Sequence, residues 1–183
     1  MPKTFIFLAP GFEETEAIVP IDILRRAQIE VETESITSQK EVTGAHGVTV
    51  LADSLFENTD FSKGDMLVLP GGMPGASNLN AHQGLKNLLL QYAEGGKKIA
   101  AICAAPLVLG GLDLLQGKKA TAYPGYESTL KGAEYLEAGI VKDGNFITGR
   151  GPGFAIDFGL SIVEELQGKV KADEVAGGVL FRK

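Results

Sequence analysis

Cys103 is the only cysteine in the chain, and it stands where two patterns meet. Residues 97–102 before it turn from two lysines into an apolar run and read as a short buried strand. Ala104-Ala105-Pro106-Leu107-Val108-Leu109 after it reads as the start of a helix, with Pro106 suited to a first turn where no N–H is needed. A side chain at such a corner is turned out of the sheet towards the free N–H groups of the helix start. That setting favours an anion, so Cys103 is expected to be more acidic than a free thiol and to act as a nucleophile. The plainer alternative is that a lone cysteine packs as a small apolar residue.

Three acids follow the first strand in Pro10-Gly11-Phe12-Glu13-Glu14-Thr15-Glu16. Acids at a helix start ordinarily complement the dipole in water, and Glu13 and Glu14 read that way. Glu16 differs if it turns inward beneath the cysteine corner. Burial and a nearby thiolate would both raise its proton affinity, so that it could donate a hydrogen bond to sulfur and move protons. Gly71 and Gly72, in Pro70-Gly71-Gly72-Met73-Pro74-Gly75, offer backbone N–H groups free of side chains. With the N–H of Ala104 they are expected to form an oxyanion hole. The loop lacks the Lys-Ser/Thr pair of a phosphate-binding loop. Arg150 places a cation in the turn Gly149-Arg150-Gly151-Pro152-Gly153, as a substrate contact or as a surface or interface residue. The two histidines, His46 and His82, show no zinc-ligand spacing, and neither a metal nor an organic cofactor is expected.

These residues can meet only if the intervening chain folds as parallel βαβ units, and its patterning predicts that. Strands are expected over residues 4–9, 31–37, 65–69, 97–102, 119–122 and within 139–148, with a hairpin over 42–51 around Gly44 and Gly47. Helices are expected over 14–28, with Pro20 inside it, and over 85–94, 155–166 and 172–177. Ligands of open α/β sheets bind beyond the carboxyl ends of strands, where three of these strands deliver Glu16, Gly72 and Cys103. The reading is one α/β domain over residues 1–183 with a mostly parallel sheet and helices on both faces; no repeat or linker divides it.

The formal charge of −6 argues against sequence-independent nucleic-acid binding, which needs a basic footprint. No apolar run is long enough to span a bilayer, so no membrane partner is expected. Residues 1–9 read as a first strand rather than a signal peptide, and one cysteine suits a reducing cytoplasm.

Four motifs, around Glu16, Gly71-Gly72, Cys103 and Arg150, occur in the order seen in the ThiJ/PfpI superfamily. The chain most closely resembles the branch of the Parkinson-disease-associated protein deglycase and its bacterial YajL-like relatives. The resemblance covers almost the whole chain. It implies a flavodoxin-like three-layer sandwich of class I glutamine-amidotransferase-like layout, a homodimer, and a reactive cysteine held by a glutamate. Cys103 and Glu16 match those two residues, and Gly72 and Ala104 match the positions whose N–H groups face the thiolate. The helix over 14–28 and the Gly44–Gly47 hairpin are the expected dimer contacts.

Two departures matter. Protease relatives carry histidine directly after the cysteine, where this chain has Ala104, which removes the cysteine–histidine pair of such hydrolysis. Many deglycase-branch members carry histidine where this chain has Tyr123, a poor base at neutral pH. Any mechanism therefore rests on Cys103 and Glu16. The implied function is cysteine-dependent, glutathione-independent detoxification of reactive carbonyls, of glyoxalase or protein-deglycase type, on a small aldehyde such as methylglyoxal or on glycated protein. The competing implication is a redox-responsive stress protein or chaperone whose signal is oxidation of Cys103.

Overall fold

The computed structural model describes residues 1–181. In chain order the elements are β1 (Lys3–Leu8), α1 (Glu14–Arg26), β2 (Glu30–Ser35), β3 (Glu41–Thr43), β4 (Thr49–Leu51), β5 (Ser54–Leu55), β6 (Met66–Leu69), α2 (Gly75–Ala81), α3 (Gln83–Glu94), β7 (Lys98–Ile102), α4 (Pro106–Gly111), β8 (Lys119–Ala120), β9 (Glu134–Tyr135), β10 (Ile140–Asp143), β11 (Phe146–Gly149), α5 (Ala155–Gln167) and α6 (Lys169–Gly178). The central sheet has seven strands in the order β10-β11-β7-β6-β1-β2-β5, all parallel except β10, which runs antiparallel to β11.

Why the sheet is covered on both faces follows from the side-chain alternation of its strands. Phe5 and Phe7 of β1, Leu67 and Leu69 of β6, and Ile99 and Ala101 of β7 pack with Leu79, Leu85, Leu89, Val108 and Leu109 of α2, α3 and α4. Ile6, Val68, Ala100 and Ile102 point the other way and pack with Ile23 and Leu24 of α1, Phe158 and Ile162 of α5, and Val175 of α6. A strand buried on both sides must be apolar at every position, and β6 is, as Met66-Leu67-Val68-Leu69. The result is a flavodoxin-like three-layer sandwich, as expected.

Glycine punctuates the chain where turns demand it. The predicted hairpin is present as β3 and β4, closed by the Gly44 N–H donating to the Val48 carbonyl at 2.9 Å. Ile18 of α1, Val48 and Leu51 remain exposed on this side of the molecule.

The carboxyl ends of β1, β6 and β7 converge at the point where the strand order reverses, between β1 and β6, which is where a doubly wound sheet opens a crevice. Another feature of the sheet lies away from that crevice. Glu34 of β2 is fully buried, accepts one hydrogen bond from Thr59 Oγ1 at 2.8 Å, and leaves its Oε1 without a partner. Burial pushes its carboxyl up to about 7. A carboxyl raised in the fold adds stability below its ordinary range and loses it as pH rises through the raised value. Glu34→Gln keeps an acceptor for Thr59 and removes the buried charge. It is therefore expected to stabilise the protein at pH 8 by up to about 3 kcal/mol, with the gain vanishing below the ordinary carboxyl value of 4.5, at about pH 4. Thermal melts of both proteins at the two pH values test this, and equal melting temperatures at pH 8 would contradict it.

Candidate active site

Cys103 is the first residue after β7, and its φ of +65° is in the left-handed region that non-glycine residues seldom adopt. Two backbone hydrogen bonds hold it there. Its N–H donates to the Gly149 carbonyl at 2.8 Å, and its carbonyl accepts from the Tyr123 N–H at 2.9 Å. The turn lifts the side chain out of the sheet and leaves it 8% exposed. The N–H groups of Gly72 and Ala104 both point at the sulfur.

Glu16 enters from the other strand end. It lies in the first turn of α1, yet it is fully buried, unlike an ordinary dipole-complementing acid. The Gly71 N–H donates to its Oε2 at 3.0 Å, the Cys103 thiol interacts with its carboxyl, and its Oε1 is buried without a hydrogen-bond partner. Gly71 has to be glycine here. A Cβ on it would sit 2.6 Å from Glu16 Oε2, and 2.7 Å from both Cys103 Cβ and the Ile102 carbonyl. Gly72 has φ +86°, and a Cβ there would lie 2.3 Å from the Glu13 nitrogen.

The electrostatics of the pair correct one expectation. Burial pushes the Glu16 carboxyl up to about 7, with the charge of Glu13 adding to the rise. Burial, then the Glu16 carboxylate, pushes the Cys103 thiol up to about 12, against the pull of the two N–H donors. Cys103 is therefore not the freely acidic thiol expected from its place before a helix. That helix supplies few donors, and the cost of burying two negative charges side by side exceeds what they return. Below about 7 both groups carry a proton, and above it the pair holds a single proton between them. Glu16, with an affinity close to neutrality, is placed to take the thiol proton as sulfur attacks an electrophile.

Of the residues singled out from the sequence, Cys103, Glu16, Gly71, Gly72 and Ala104 are brought together. Tyr123 and Arg150 instead line an adjoining cleft of about 260 Å³, completed by Pro124, Gly151, Pro152, Gly153 and Phe154. Tyr123 is 45% exposed and tied to Cys103 through the backbone alone. The Arg150 guanidinium is engaged by Glu137, at 2.6 Å. The sequence reading missed Glu13, whose Oε2 accepts the Glu16 N–H at 2.8 Å and caps α1. The signal was the spacing Glu13-x-x-Glu16, which is that of a capping box with an acid in the capping position.

Residues 2–165 match the profile of the DJ-1/PfpI family. The chain belongs to the DJ-1/PfpI family. Among its relatives, Protein dj-1beta of Drosophila melanogaster is 42% identical over 180 residues, covering 97% of this chain and 96% of that protein. A protein of Thermococcus kodakarensis that carries the name deglycase is 36% identical over 154 residues, 82% of this chain and 91% of its own length. A crystal structure of a cysteine-to-alanine variant of a DJ-1 superfamily protein from Salmonella typhimurium superposes with a TM-score of 0.95 at 35% identity, over the full length of both chains. Two Arabidopsis thaliana relatives, DJ-1 homologs A and B, are longer: the chain spans 45% and 42% of their lengths. Members of the DJ-1/PfpI family thus share this sandwich over the whole region that carries the cysteine corner. No helix among the described residues is long and apolar enough to cross a membrane.

Proposed function

We propose that this DJ-1/PfpI protein is a cysteine-dependent, glutathione-independent enzyme acting on reactive carbonyls, with methylglyoxal or a methylglyoxal adduct on protein as substrate. The observation that carries the reading is the buried Cys103 at a left-handed corner, with the Glu16 carboxyl and two backbone N–H groups converging on it. The deglycase name of the Thermococcus relative agrees with it.

The chemistry balances without an external thiol or oxidant. The Cys103 sulfur adds to the aldehyde carbon of methylglyoxal, and its proton passes to Glu16 and then to the new alkoxide, giving a hemithioacetal. Glu16, ionised again, takes the proton from the hemithioacetal carbon to give an enediol and returns it to the neighbouring carbon, while the hydroxyl proton passes from the first oxygen to the second. One carbon is thereby oxidised and the other reduced, and a lactoyl thioester of Cys103 results. Water cleaves the thioester to lactate, and sulfur recovers its proton. On a protein adduct the same attack displaces the amine or guanidine. The N–H groups of Gly72 and Ala104 stabilise sulfur as it leaves. Tyr123 and Arg150 are assigned to the mouth of the site, where their cleft receives the remainder of the substrate.

The test is lactate formation from methylglyoxal by purified protein in thiol-free buffer. Lactate from the wild type and none above background from Cys103→Ser is the expected result. Wild-type protein that forms no lactate, or a Cys103→Ser variant that forms it equally well, rejects the reading.

A further inference from the structure

The acid that caps α1 does more than its position requires. Three hydrogen bonds form a closed ring: the Glu16 N–H donates to Glu13 Oε2 at 2.8 Å, the Glu13 N–H donates to the Gly71 carbonyl at 2.9 Å, and the Gly71 N–H donates to Glu16 Oε2 at 3.0 Å. The ring joins the start of α1 to a loop more than fifty residues later in the chain. It is packed backbone to backbone, since a Cβ on Gly72 would meet the Glu13 nitrogen at 2.3 Å and one on Gly75 would meet Phe12 Cα at 2.7 Å. Glutamate is also an unusual choice for a cap. Asparagine, aspartate and serine satisfy the free N–H groups of a helix start as well or better, with shorter side chains.

We propose that Glu13 is a positioning residue of the cysteine site, closing the ring that holds Glu16 against Gly71 and setting a carboxylate beside the Glu16–Cys103 pair. Capping explains the ring but does not require the charge. The charge has a consequence at the site, because it opposes loss of the proton that the pair shares. Glu13 thereby keeps Glu16 protonatable near neutrality, which is the condition for a carboxyl to exchange protons with sulfur.

The titratable groups next to Glu13 are Glu14 beside it in the chain, Glu16 whose N–H it accepts, and His46 from the β3–β4 turn. His46 Nδ1 is 4.0 Å from Glu13 Oε1 and 2.8 Å from Glu14 Oε2. The hydrogen bond with Glu14 lifts His46 above its ordinary range, so a protonated His46 partly offsets the Glu13 charge and a neutral one does not. The inference rests on Glu16 and Cys103 acting as one proton-sharing pair, and it stands whether or not the substrate is a carbonyl.

The experiment accordingly reads the cysteine alone. The rate of iodoacetamide labelling of Cys103 is measured against pH in wild type, Glu13→Asp and Glu13→Asn, with circular dichroism melts to confirm folding. Both substitutions keep a capping oxygen, and only aspartate keeps the charge. The expected result is that Glu13→Asp titrates as wild type, while the lower inflection of Glu13→Asn falls by on the order of half a pH unit or more, the size of a screened interaction between neighbouring carboxylates. The same displacement between Asp and Asn persists in a His46→Gln background. Superimposed profiles for Asn and wild type overturn the charge role. An Asp variant displaced as far as the Asn variant, or a displacement that vanishes with His46→Gln, overturns it as well.

Discussion

Glu16→Gln is expected to lower methylglyoxal turnover by roughly 10²-fold or more while raising thermal stability at pH 8. Glutamine has nearly the shape of glutamate and keeps an oxygen for the Gly71 N–H, so the ring of hydrogen bonds around the site survives. It cannot take a proton from sulfur or return one to carbon. The stability gain follows from the sign of the shift. A fully buried carboxyl raised to about 7 contributes stability below its ordinary range and loses it as pH climbs through that value, so at pH 8 the wild type carries a buried charge that the variant lacks. A substitution that stabilises the fold and silences the chemistry marks a residue kept for function. Measurement of kcat and of the melting temperature on the same preparations tests both halves. Unchanged kcat contradicts the proton-transfer role.

Gly71→Ala is expected to cost as much for a different reason. Its new methyl group meets Glu16 Oε2, Cys103 Cβ and the Ile102 carbonyl, all within 2.7 Å. Two of the three belong to the strand end and its corner, which cannot retreat, so the loop or Glu16 must move. A displacement of about 1 Å in a reacting group is enough for roughly 10²-fold in rate. Turnover and Cys103 labelling should fall together. Gly177→Ala in α6, where a Cβ meets nothing within 4 Å, should leave both unchanged and serves as the control. Wild-type turnover in Gly71→Ala would show that the close packing of glycine loop and cysteine corner is not needed for reaction.

How much of this was legible in the sequence depended on whether the signal was local. The β7–α4 corner was readable because an apolar run ends abruptly at Cys103 and Ala104-Ala105-Pro106 can only turn and begin a helix. The strand ends that deliver Glu16 and Gly72 were readable for the same reason, since β1 and β6 are continuous apolar runs stopped by Pro-Gly. Helix α2 was missed because Gly75-Ala76-Ser77-Asn78-Leu79-Asn80-Ala81 carries too few apolar residues to show a period. Strand β5, two residues long, leaves no pattern at all.

Local sequence overstates the acidity of Cys103, because the helix start is written beside it, whereas the burial and the carboxylate that outweigh it come from residues far away in the chain. Arg150 shows the same limit. Its motif was visible, but its engagement by Glu137 was not. Local sequence makes Glu13 look like a solvent-facing helix-start charge, since the Gly71 partner that closes its ring lies in another element.

The central claim is that Cys103 and Glu16 react as one unit that shares a single proton. The most direct test is the rate of iodoacetamide labelling of Cys103 against pH, in wild type and in Glu16→Gln. The wild-type rate should rise through an inflection near 7, where Glu16 gives up its proton, and rise again only in strong alkali. In Glu16→Gln the inflection near 7 should be gone. A lower inflection that survives at the same pH in Glu16→Gln, or a wild-type rate already at its plateau at pH 5, would show that Cys103 ionises by itself and would contradict the shared proton.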